Sequence, residues 1–119
     1  MRDPTETQEG IALANWLRGR VVDGAPVVFL HIPNERRGDA RTYALCKMLG
    51  IQKGFPDYLL LTRTAAAPHG AAVELKTRDG GKKPAEQRAW IRALNMLGIR
   101  ATFSDGAQEA VQWLEGLGY

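Results

Sequence analysis

Cysteine is almost absent. Cys46 is the single one in 119 residues, which excludes an internal disulfide and any zinc site built from several cysteines. One thiol fits a reducing cytoplasm, and in its helical pattern Cys46 reads as a small buried hydrophobe. Histidine is nearly as scarce, with His31 and His69 alone, so no His/Cys ligand cluster is available. No apolar run approaches the roughly 18 residues of a membrane span. The opening stretch MRDPTETQEG lacks the apolar core of a signal peptide. Repeats, low-complexity tracts and linkers are also missing. What remains is one domain, residues 1–119, long enough for a single core and expected in a cytoplasm.

What the sequence does have is an uneven distribution of charge. The formal net charge is +3. From Arg18 to Arg100 there are 15 Lys and Arg against 7 Asp and Glu, and the flanks hold one Arg and six acids. A basic middle suits a polyanion, nucleic acid first; the alternative is a solvated surface of mixed charge.

Thr5 can cap a helix running to about Arg18, with Leu13, Trp16 and Leu17 on one face. GAPVVFLHIP (24–33) reads as a strand after a turn. DARTYALCKMLG (39–50) reads as a helix closed by Gly50. PDYLLLT (56–62) and AAVELKT (71–77) are the arms of a hairpin. KPAEQRAWIRALNMLG (83–98) is a helix with Pro84 in its first turn and Gly98 past its end. IRATFS (99–104) is a strand, and Ser104 or Asp105 caps a last helix to about Leu117. The order α-β-α-β-β-α-β-α combines a hairpin with a βαβ crossover. It predicts an α/β fold: one compact domain with a mixed central sheet flanked by helices.

Side chains alternate along a strand, so Glu74 and Lys76 share one face and Val73, Leu75 and Thr77 the other. Taken alone, Glu74 and Lys76 fit either a surface ion pair or half of a metal site. Asp57 opens the preceding arm, after a proline suited to a strand's first residue, and the hairpin returns Glu74 close to it. Two adjacent carboxylates repel and favour a shared cation. An oxygen-rich set suits Mg²⁺ or Mn²⁺ rather than zinc. Gln87 lies three and four residues before Trp90 and Ile91, on the inward face of its helix. A buried amide there needs a partner, either a strand end or the site. Glu6 and Glu9 extend the first helix's apolar stripe backward. They serve the helix N-terminus or point toward a metal.

GFPD (54–57), then ELK (74–76), then Gln87 opening the next helix resembles the VRR-NUC family of the PD-(D/E)xK nuclease superfamily. TETQ (5–8) leading into LANWLR (13–18), HIPNERR (31–37) and CKMLGIQKGFPD (46–57) support the resemblance, which covers nearly the whole chain. It implies a stand-alone, phage-type nuclease domain, similar in fold to Holliday-junction resolvases, prone to dimerise and at work in the cytoplasm of a bacterium or a phage-infected bacterium. Residue by residue, it implies that Asp57 and Glu74 bind a divalent metal with the Leu75 carbonyl. Lys76 positions or activates the attacking water, and Gln87 orients the water or Lys76. Glu6 sits beside the metal or binds a second one. Glu9 matches less well, because the family pattern usually has an apolar residue there. The implied activity is Mg²⁺- or Mn²⁺-dependent hydrolysis of DNA phosphodiester bonds, structure-selective for branched DNA, in replication or repair. No small-molecule cofactor and no membrane are implied. The alternative is a DNA-binding or partner-docking module of the same fold without useful activity.

Around this set, His31 and Asn34 close the first strand beside Arg36 and Arg37, and DNA-backbone contact suits them better than chemistry. Lys82 and Lys83, in a glycine-rich turn, and Lys53, just before GFPD, read as phosphate contacts, with plain solubility the alternative for the turn pair. His69 reads as solvated. Trp16, Trp90 and Trp113 lie on apolar helix faces and read as core.

Overall fold

A computed structural model describes residues 2–32, 40–50 and 53–119. Asn34, Arg36 and Arg37 lie outside the described residues, as does the Cys46 side chain. Four helices and six strands are present among those described: α1 (Glu6–Arg18), β1 (Val21–Val22), β2 (Ala25–Pro26), β3 (Phe29–His31), α2 (Ala40–Met48), β4 (Tyr58–Leu60), β5 (Ala71–Lys76), α3 (Ala85–Met96), β6 (Arg100–Asp105) and α4 (Ala107–Gly116). The main sheet has the order β3-β4-β5-β6. Its first two pairings are antiparallel and the last is parallel. This is the expected mixed sheet, with the hairpin at β4–β5 and the crossover at β5-α3-β6.

Two cores sandwich the sheet. Ala71, Val73 and Leu75 of β5 face Leu13 and Leu17 of α1 and Leu114 of α4. Ala72 and Ala101 face Leu94 of α3, with Trp90 and Ile91 packed alongside. Trp16 and Trp113 border the first core, so all three tryptophans pack against core residues as expected.

The first helix starts where its sequence says it should. The Thr5 hydroxyl accepts from the Gln8 amide at 3.2 Å, and the Gln8 side chain accepts from the Thr5 amide at 2.8 Å. This reciprocal cap satisfies two of the helix's orphan donors.

Two elements depart from expectation. The strand predicted over 24–33 is two strands with different partners. Asp23 (φ 52°) and Gly24 (φ 79°) form a two-residue turn that pairs β2 with β1, as an Asp-Gly between apolar residues favours. The chain then changes partner, and the Val28 amide donates to the Thr62 hydroxyl at 2.8 Å as β3 joins β4. The last helix is not capped by Ser104 or Asp105. The parallel register carries β6 through both residues, to Lys76 opposite Asp105. Gly106 (φ 89°) makes the turn instead, its amide donating to the Lys76 carbonyl at 2.8 Å.

Candidate active site at the carboxyl end of β5

The pairs Tyr58–Val73 and Leu60–Ala71 fix the hairpin register. One step beyond Tyr58, that register sets Asp57 across from Glu74. The Asp57 carboxylate reaches past the end of β4 and accepts from the Leu75 amide at 3.0 Å. Lys76, one residue on, gives its carbonyl to Gly106 on the β6 side. Successive residues alternate sideways as well as face to face. The Leu75 amide and carbonyl therefore both point toward Asp57, where β4 has ended and no ladder uses them.

Glu74 is 3% exposed, and its Oε1 has no hydrogen-bond partner. Its Oε2 lies 3.8 Å from the Lys76 ammonium. Burial is the main reason its carboxyl is pushed up to about 9. The Asp57 charge and a hydrogen bond with Asp57 add to the shift, Lys76 opposes it, and the Glu6 charge adds again. Burial beside a second carboxyl thus favours the neutral form of Glu74 near neutral pH. Lys76 stands between them and α3, donating to the Gln87 side-chain oxygen at 2.7 Å. Gln87 therefore spends its inward-facing amide on the site and not on a strand end.

The GFPD segment is held by α3. Gly54 has φ 86°, and a Cβ there would lie 2.8 Å from the Glu86 Cβ and 3.1 Å from the Gln87 amide nitrogen. Only a glycine lets this loop rest on the helix start that carries Gln87. The Trp90 indole donates to the Lys53 carbonyl at 3.1 Å, and Phe55 meets the Trp90 ring edge-on at 5.0 Å. On the other side of the sheet, Tyr58 donates to the Gly10 carbonyl at 3.2 Å. A Cβ on Gly10 would come within 2.7 Å of that hydroxyl. Asp57 is thus clamped between contacts to α1 and to α3.

The structure gathers Asp57, Glu74, Lys76 and Gln87, with Leu75 supplying backbone. Glu6 is exposed on the first turn of α1 and acts on Glu74 through its charge. Among the described residues no three His, Cys, Asp or Glu side chains form a metal-binding group, so Glu6 is not brought into one with Asp57 and Glu74. Glu9 does not point at the site; it meets Arg78 at 3.1 Å. His31 is exposed at the end of β3, its ring 4.9 Å from that of Tyr58. Lys53 pairs with Glu86 at 3.0 Å. Lys82 is exposed in the turn before α3, and Lys83 approaches Asp105 at 3.9 Å. His69 is exposed, as expected.

One site-facing residue escaped sequence analysis. Phe103 pairs with Glu74 in the parallel ladder and so shares its face. The Lys76 and Lys83 ammonium groups lie 6.0 and 5.7 Å from its ring centroid. Alternation within IRATFS put Phe103 on one face, but nothing local showed which face met Glu74.

The donor set fits a hard divalent cation. Two adjacent carboxyls, one with an unpartnered buried oxygen, and a backbone carbonyl off the ladder are all oxygen ligands. A cation there would satisfy Glu74.

Neither family models nor curated proteins include a match to this chain. Solved structures do. A protein titled "VRR_NUC domain protein" is 21% identical, with a TM-score of 0.84, over 99% of this chain and 91% of that one. At that identity the likeness speaks for the architecture: this chain has the fold of a VRR_NUC domain.

Proposed function

We propose that this protein is a divalent-metal-dependent nuclease that hydrolyses DNA phosphodiester bonds. The observation that carries the proposal is the convergence of Asp57, Glu74, Lys76 and Gln87 at one strand end, with a buried Glu74 carboxyl oxygen left without a partner beside Asp57. The fold shared with a protein named for a nuclease domain supports it.

Asp57, Glu74 and the Leu75 carbonyl would hold Mg²⁺, or Mn²⁺ in its place. When bound, the cation lowers the pKa of a water and offsets charge developing on the phosphate. The chain's own groups do the rest. Lys76, poised by Gln87 and Glu74, supplies a positive charge beside the reacting phosphate and orients the nucleophilic water. Lys82 and Lys83 flank the same strand end, where a polyanion's neighbouring phosphates would lie. Glu6 adds negative charge near the metal ligands.

The proposed substrate is branched DNA, in phage-type replication or repair, and the proposed active form is a homodimer. Symmetric cutting of a four-way junction requires two sites related by a two-fold axis. Four-way junction, flap, nicked duplex and single strand are to be incubated with protein across a Mg²⁺ and Mn²⁺ series. Cleavage of the junction above the other substrates is expected, abolished by EDTA, by Asp57→Asn and by Lys76→Ala. Salt-sensitive binding of all four, unchanged by EDTA and without cleavage, would instead mark a DNA-binding module.

A further inference from the structure

Resting on the nuclease proposal, we infer that Arg78 is a further phosphate-binding residue, held in place by the buried carboxylate of Glu9. Glu9 occupies a core position. It precedes Leu13 and Leu17 at four-residue spacing on α1, and all three are buried. A carboxylate in such a stripe is costly unless paired. Its partner is the Arg78 Nε at 3.1 Å.

The pair is asymmetric. The Glu9 side chain is 2% exposed, whereas that of Arg78 is 56% exposed. Glu9 takes the inner nitrogen of the guanidinium. Among the described residues the two terminal nitrogens take no partner. A guanidinium gripped through Nε presents its outer edge to an incoming oxyanion in a fixed orientation, which suits a phosphate.

The site is built to hold this arrangement. Gly106 makes room for both partners, since a Cβ there would lie 2.7 Å from Glu9 Oε2 and 3.0 Å from Arg78 Cγ. The same glycine's amide holds the Lys76 carbonyl at 2.8 Å. Arg78 is thus tied to the strand end that carries Glu74 and Lys76. It emerges on the α1 side, while Lys83 stands on the side of Phe103 and Asp105. A nucleic-acid strand crossing the end of β5 meets a cation on each flank. Arg78 takes a phosphodiester next to the scissile one, and Glu9 is a positioning residue.

The test is binding of a fluorescent four-way junction to the full chain in EDTA, read by anisotropy across a KCl series. Arg78→Gln is expected to weaken binding about three- to tenfold near 0.1 M salt and to lower the salt slope by about one. Glu9→Met gives a diagnostic sign. It removes a negative charge, so general electrostatics would tighten binding, whereas loss of the grip loosens it. Weaker binding by Glu9→Met, with its melting transition still cooperative, supports the inference. Unchanged or tighter binding by Glu9→Met, or an unchanged slope for Arg78→Gln, overturns it. The parent separates the two proposals. If it cuts DNA while Arg78→Gln keeps the parental KM and slope, Arg78 alone is misassigned. If it neither binds nor cuts, both proposals fall.

Discussion

Glu74 carries the strongest physical signature in the molecule, because its carboxyl is held protonated where an exposed glutamate would be charged. Its value rises from 4.5 in the unfolded chain to about 9. The metal-free folded state therefore binds more protons than the unfolded state across that range. Stability contributed by Glu74 is full below about 4.5 and is lost as pH rises through about 9. Glu74→Gln removes this dependence and keeps a neutral side chain of the same shape. In EDTA at pH 8 it is expected to be more stable than the parent, by about 1–3 kcal/mol, with the difference shrinking toward pH 5. Urea melts at the two pH values check this; a parent that gains stability from pH 5 to pH 8 relative to the variant would reverse the sign. The same proton links to metal. Calorimetry in two buffers of different ionisation enthalpy should show close to one proton released per Mn²⁺ bound at pH 7.5, and markedly less for Glu74→Gln. Gln87→Ala tests the Lys76 contact at 2.7 Å. It is expected to lower kcat about 10- to 100-fold with little change in KM, since it leaves the charge but loosens its aim.

At the scale of elements, the site is made by two clamps. Gly54→Ala introduces both a side chain against the start of α3 and a strained backbone at φ 86°. The expected cost is about 1–3 kcal/mol. Activity should fall beyond what lost folding explains, because Asp57 and Gln87 are separated together; cleavage normalised to folded protein reads this, and parental activity per folded molecule would contradict it. Thr5→Ala, at the cap of the helix that carries Glu6, should cost about 1 kcal/mol, read by urea melts. The site core was legible because its geometry is local. Period-two alternation places Glu74 and Lys76 on one face, a hairpin returns Asp57, and helical spacing turns Gln87 inward. The features that escaped depend on distant pairing. The face of Phe103 is set by the parallel register, and the role of Glu9 by an arginine 69 positions away. The split of residues 24–33 had a local sign, the Asp-Gly turn, but the exchange of partner at Val28 did not. Ser104 and Asp105 looked like caps because their chemistry suits one; the sheet claimed them first.

At the scale of the whole molecule, charge and topology converge. The basic middle of the chain includes β5, the turn to α3 and the start of α3, and the candidate site lies at the carboxyl end of β5. Binding to DNA is expected to weaken steeply with salt and to be largely independent of sequence in the absence of base-reading contacts. Among the described residues no helix is long and apolar enough to cross a membrane. Sedimentation velocity over a concentration series tests the proposed dimer, with a species of twice the 13.1 kDa chain mass expected; a single species of monomer mass throughout would remove symmetric junction cutting from the account. The central claim, that the paired carboxyls and Lys76 hydrolyse phosphodiesters with a bound cation, comes down to one comparison. A supercoiled plasmid is incubated with Mn²⁺ and either the parent or Glu74→Gln. The parent should convert it to nicked circle and the variant should leave it supercoiled, whereas equal conversion by both would show that the site described here is not where the cutting occurs.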